Sequence, residues 1–90
     1  MIARIATFDN LPDDVDPQAV ALLRETVRTA PGYVAGYHLH DPETGKAMSV
    51  VVVEDGQALQ EIGRRLAARE PGERVGIDPD VVEILVAEPF

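Results

Sequence analysis

The feature that most narrows what this chain can be is an unbroken run of four valines, Val50-Val51-Val52-Val53, inside a segment at 46–54 that reads as a β-strand. Alternate residues of a strand point to opposite faces. A run with no polar residue in it therefore belongs to a strand covered on both sides. Helices from the same short chain can cover one side. What covers the other is the question on which function turns.

The rest of the chain supplies three more strands and two helices in a clear order. Residues 2–8 are short, β-branched and aromatic, and read as a strand. Pro12 and the paired Asp13 and Asp14 mark a turn, after which Asp16 is placed as an N-cap with Pro17 at the first helical position, where its missing N–H costs nothing. Val20, Leu23, Val27 and Ala30 follow at helical spacing, and Pro31-Gly32 stops that helix. Residues 33–41 alternate, with Tyr33, Ala35, Tyr37 and Leu39 expected on one face and Val34, Gly36, His38 and His40 on the other. Asp41-Pro42-Glu43-Thr44-Gly45-Lys46 is a tight-turn signal, with glycine placed for a positive φ, so this strand and the valine strand pair as an antiparallel hairpin.

Asp55 caps the second helix, whose stripe is Leu59, Ile62 and Leu66. Gly63 is expected to allow close approach to the sheet, and Pro71-Gly72 to end the helix. A loop containing Gly76, Asp78 and Pro79 leads to the last strand at 81–87, with Val82, Ile84 and Val86 on one face and Val81, Glu83 and Leu85 on the other. The order β-α-β-β-α-β is that of an α+β, ferredoxin-like domain, a four-stranded antiparallel sheet with two helices. Right-handed crossovers put both helices on the same face.

The second face then lies bare and apolar, and a soluble monomer seldom tolerates that. With 90 residues the chain makes one domain, 1–90, that buries only about 60–65% of its unfolded surface. It has no cysteine, hence no disulfide and no thiolate chemistry. The remaining way to add core at this size is association. These points predict a homodimer that meets through the sheet face.

The formal charge of −8 opposes binding to nucleic acid and to anionic membranes, which need clustered Lys and Arg. The basic residues Arg24, Arg28, Arg64, Arg65 and Arg69 are spread over two helices beside acidic neighbours. The N-terminal segment has no long apolar run, so neither a signal peptide nor a membrane span is read there, and the expected location is cytoplasmic.

The stretch Pro31-Gly32-Tyr33-Val34-Ala35-Gly36-Tyr37, then a turn, then Ser49-Val50-Val51-Val52-Val53-Glu54-Asp55, resembles the antibiotic-biosynthesis-monooxygenase superfamily. There a Pro-Gly pair opens strand two, and strand three ends in an acidic pair that starts helix two. The resemblance implies a dimeric α/β barrel. Its catalytic members oxidise aromatic polyketide anthrones to quinones without metal or organic cofactor, in a cleft between helices and sheet, and relatives degrade haem. This chain departs from them. It has no Trp, with Val53 standing about where strand three of active members often carries one, and neither predicted helix holds a histidine that could ligate haem iron. The cysteine pair of heavy-metal carriers and a glycine-rich phosphate loop are also missing.

Three residues are the candidates for chemistry: Tyr37, His38 and Arg4. Tyr37 could donate a hydrogen bond to a phenolate-like substrate, or be a core aromatic. His38 could move a proton, or pack at the dimer seam while His40 is solvated. Both histidines fall on the same strand face about 6.5 Å apart, so a metal site with Glu83 is a further reading of them. Arg4, mid-strand among apolar residues, must be paired or must face a pocket; the expected partner is Glu83, the alternative an anionic group of a ligand or a developing oxyanion. Tyr37 and His38 alternate, so they cannot line the same pocket. Two functions follow: a homodimeric module that holds a small hydrophobic or aromatic ligand, and a cofactor-independent monooxygenase for anthrone-like substrates. No cofactor and no metal are implied by either.

Overall fold

Both helices start where the sequence supplies a carboxylate for their free amides. The Asp16 side chain accepts from the Gln18 N–H at 2.9 Å, with Pro17 beginning the helix, and the Asp55 side chain accepts from the Ala58 N–H at 2.9 Å. In the computed structural model, which describes residues 1–70 and 76–90, the elements run β1 (Ile2–Phe8), α1 (Pro17–Arg28), β2 (Tyr33–His40), β3 (Ala47–Val53), α2 (Gly56–Ala67) and β4 (Val81–Val86). The sheet order is β2-β3-β1-β4 with every neighbouring pair antiparallel, which is the ferredoxin-like arrangement. The β2–β3 turn is tied by Asp41 N–H to Lys46 O at 2.8 Å and Gly45 N–H to Asp41 O at 3.0 Å, with Gly45 at φ +81°.

Register decides which side chains meet the helices. Residues directly opposite in an antiparallel pair point to the same face. The pairing Ile2↔Val53, Ile2↔Val86 and Tyr33↔Val53 makes one cross-strand row, Val86–Ile2–Val53–Tyr33. Val53 in that row is fully buried and packs with Ala30, Ala58 and Ile62, so this is the helix side. The next rows on that side are Ile84–Arg4–Val51–Gly36, Val82–Ala6–Ser49–His38 and Phe8–Ala47–His40. The opposite face carries Leu85–Ala3–Val52–Ala35, Glu83–Ile5–Val50–Tyr37 and Val81–Thr7–Met48–Leu39. The valine run is thus split, Val51 and Val53 toward the helices and Val50 and Val52 away from them.

No element among the described residues covers that second face. The molecule is a slab of 33 × 32 × 17 Å, the thickness of a sheet with helices on only one side of it. Neighbouring side chains shield each other, so Ile5, Val50 and Val52 are half-buried, but Leu39, Val81 and Leu85 are exposed. β4 is an edge strand that is bare on both faces, with Ile84 59% and Val86 77% exposed on the helix side.

Three details differ from expectation. The β2–β3 pairing jumps from Tyr33↔Val53 to Ala35↔Val52, a bulge at Val34. The extra residue turns Tyr33 to the helix side, away from Ala35 and Tyr37. Its ring lies over Gly36, where an added Cβ would come within 2.9 Å of the Tyr33 hydroxyl oxygen. Gly63 is exposed and has nothing within 4 Å of a Cβ built on it, so it is not a close-packing glycine. The close approach belongs to Gly32, at φ +85°, whose Cβ would fall 2.5 Å from that of Ala58. The second helix also ends at Ala67, before Pro71-Gly72, a pair that lies outside the described residues.

These two glycines give opposite predictions in urea denaturation. Gly32→Ala should lose about 2–4 kcal/mol, from a left-handed backbone and an overpacked contact. Gly63→Ala, in an exposed helix interior, should gain up to about 1 kcal/mol.

Candidate functional site

The helix side of the sheet narrows to small side chains toward the β2–β3 turn. Ala6, Ser49 and Ala47 occupy rows that end at His38 and His40 on the edge strand β2. Two residues apart on the same strand face, the two imidazoles stack with centroids 5.6 Å apart and planes inclined by 26°. Both histidines are exposed, because β2 has no strand beyond it.

α1 brings a third group to this place. Its stripe of Val20, Leu23 and Val27 is half-buried toward the sheet, and Arg24, one residue past Leu23, stands beside that stripe. Its charge acts on His38. Partial desolvation first, then repulsion from Arg24 and from His40, holds the His38 imidazole below the ordinary 6.5, so the neutral, proton-accepting form dominates at neutral pH. Arg24 makes no hydrogen bond or ion pair among the described residues, since its neighbour Glu25 is bound to Arg28. Arg24 had no signal in the sequence beyond its place flanking the apolar stripe. Ser49, opposite His38, was likewise read only as part of a strand.

Arg4 lies on the same helix side, half-buried between Ile84 and Val51. The expected pair with Glu83 does not form, because the register sets Glu83 opposite Ile5 on the other face. Arg4 has no ion-pair partner among the described residues. It is one row and two strands from His38, about 12 Å between backbones at sheet spacings. Glu83 is equally out of reach as a third metal ligand: it is on the opposite face, three strands from the histidines. Among the described residues no group of three potential metal ligands comes together.

Tyr37 is separated from both. It belongs to the row Glu83–Ile5–Val50–Tyr37 on the open face and is 64% exposed. The structure therefore brings Arg4 and His38 to one side of the sheet and puts Tyr37 on the other. Every ionisable strand residue on the helix side, apart from the Tyr33 phenol, is basic: Arg4, His38 and His40.

Two open hollows lie elsewhere. The first, about 180 Å³, sits at the β2–β3 end between Leu39, His40, Asp41, Lys46, Ala47 and Met48. The second, about 230 Å³, lies where Pro31-Gly32 meets the start of α2 and is rimmed by Glu54, Asp55 and Glu61. Its carboxylates have structural partners in two cases, since Asp55 caps α2 and Glu61 binds Arg64 at 2.6 Å and Arg65 at 3.1 Å. Those hydrogen bonds hold Glu61 down to about 2. Neither hollow is the cleft between helices and sheet that the sequence led us to expect, and neither includes Arg4, Tyr37 or His38.

No family model matches the chain, and no curated protein does. Solved structures match over nearly the whole length. A crystal structure described as an antibiotic biosynthesis monooxygenase aligns with a TM-score of 0.56 at 23% identity, over 99% of this chain and 100% of that one. Rv0793 from Mycobacterium tuberculosis aligns at 0.55 and 20% identity, over 99% of this chain and 96% of that one. At this identity the likeness shows the fold alone, the ferredoxin-like arrangement of four strands and two helices. No helix among the described residues is long and apolar enough to cross a membrane.

In an NMR titration His38 should titrate below 6.5, and Arg24→Gln should move it back toward that value. Folding lowers this pKa, so the native state binds fewer protons at His38 than the unfolded chain does. The resulting stabilisation is complete above pH 6.5 and is lost as pH falls through 6.5 toward the folded value.

Proposed function

We propose that this protein is a homodimer that closes its open sheet face against a second copy, and that each subunit holds a small aromatic or hydrophobic molecule on its helix side. The observation that carries the first part is the composition of the open face. Of its twelve positions only Thr7, Tyr37 and Glu83 bear a polar group, and Glu83 is on an edge strand. At sheet spacings this face measures about 19 by 24 Å, the size at which apolar patches on soluble proteins mark interaction sites. In such a dimer Tyr37 belongs to the seam, its ring packed and its hydroxyl directed to the rim.

The second part rests on His38 and Arg4, polar groups on the helix side of the sheet, with the short side chains of Ala6, Ala47 and Ser49 in the neighbouring rows. A solved structure described as an antibiotic biosynthesis monooxygenase shares this fold. A catalytic reading, oxygenation of an anthrone-like phenol without cofactor, is favoured by one feature alone. His38 is exposed and neutral at neutral pH, as a base that takes a phenolic proton must be. Arg4 would then stabilise the oxyanion that forms. Tyr37, on the opposite face, has no part in it.

Val50→Asp puts a charge at the middle of the open face and should convert a dimer into a monomer in sedimentation equilibrium, with the helical circular dichroism unchanged. Wild-type protein that sediments as a monomer at tens of micromolar would refute the dimer. Aerobic oxygen uptake with a simple anthrone tests the catalytic reading. Uptake should vanish in His38→Ala and persist in Tyr37→Phe, whereas uptake indifferent to His38→Ala removes the enzyme from consideration.

A further inference from the structure

Among the described strand residues, those on the helix side of the sheet include no carboxylate, in a chain with 16 acidic and 8 basic residues. The stacked imidazoles of His38 and His40 stand on the exposed edge strand, and the charge of Arg24, on the α1 helix that packs against that strand, acts on His38. No carboxylate pairs with Arg24 among the described residues. Glu25 on α1 is occupied by Arg28. Asp41, which faces His40 from the turn, accepts the Glu43 N–H at 2.9 Å and so is directed into the turn. From β3 the facing residues are Ser49 and Ala47, both uncharged, and Ser49 adds a hydroxyl donor in the His38 row.

We infer that Arg24, His38 and His40 form an oxyanion site, made for the carboxylate or other acidic group of a small ligand and coupled to proton uptake. This rests on the reading above that a ligand occupies the helix side, and it specifies the ligand as an acid. An oxyanion between the guanidinium and the imidazoles supplies the negative charge this cluster lacks. The His40 ring stacked at 5.6 Å and the Arg24 charge both oppose protonation of His38. An anion offsets that opposition, so it binds more tightly to the protonated His38 and raises the affinity of that ring for its proton. Affinity for an acid therefore increases as pH falls through the histidine range.

The experiment is an NMR titration of the full chain with benzoate, benzyl alcohol and sulfate, at about pH 8 and about pH 5.5, where benzoate stays ionised. Benzoate should bind at least fivefold more tightly at the lower pH. Sulfate should raise the titration midpoint of His38. Arg24→Gln and His40→Gln, each at an exposed position, should abolish these effects while benzyl alcohol binds as before. Benzyl alcohol binding with no response to sulfate and no pH dependence for benzoate would overturn the oxyanion site and leave the ligand reading intact. Sulfate raising the His38 midpoint while neither aromatic compound binds beyond that effect would keep the oxyanion site and overturn the aromatic ligand. No response to any of the three overturns both.

Discussion

The pairing of β1 with β3, Ile2 against Val53 and Arg4 against Val51, is the constraint from which the rest of this molecule follows. Strand side chains have a period of two, so this register alone assigns every residue of the two central strands to one face or the other. It sends Val51 and Val53 into the core with Ala30, Ala58 and Ile62, and leaves Val50 and Val52 on a face with no helix over it. A slip of one residue would exchange the two sets and turn Arg4 onto the open face.

The two faces thereby acquire different chemistry. The open face is apolar but for Thr7, Tyr37 and Glu83, and association is the way a sheet of this kind avoids leaving it in water. The helix side is packed at the Val53 end and small and basic at the His38 end. Separation by the sheet explains why the three candidate residues cannot work as a unit. Arg4 and His38 share a side with the helices, and Tyr37 belongs with Val50 and Ile5. A site that joins Arg4 and His38 on the helix side therefore excludes Tyr37.

Much of this was legible in the residues. Asp16-Pro17 and Asp55 are strong helix starts, Gly45 sits where a turn needs a positive φ, and the valine run marked a strand with apolar side chains on both faces. What could not be read was register. The bulge at Val34 is one extra residue with no signature in composition, and it moved Tyr33 to the other face. The Arg4–Glu83 pair failed for the same reason, since adjacency of β1 and β4 says nothing about which residues stand opposite. Arg24 was hidden because an arginine beside an apolar stripe is ordinary, and only the packing of α1 against β2 brings it to His38. Gly63 was misjudged because helix stripe and exposed face differ by one position at 100° per residue, and Gly32 carries the close contact instead.

Small-angle X-ray scattering on the dilute protein tests the central claim, that a second copy covers the open face. The single chain has a radius of gyration of 13.1 Å. A compact dimer of twice the length should give about 16 Å, with the forward scattering of two chains. A value near 13.1 Å with the forward scattering of one chain, unchanged as concentration rises, would contradict the account.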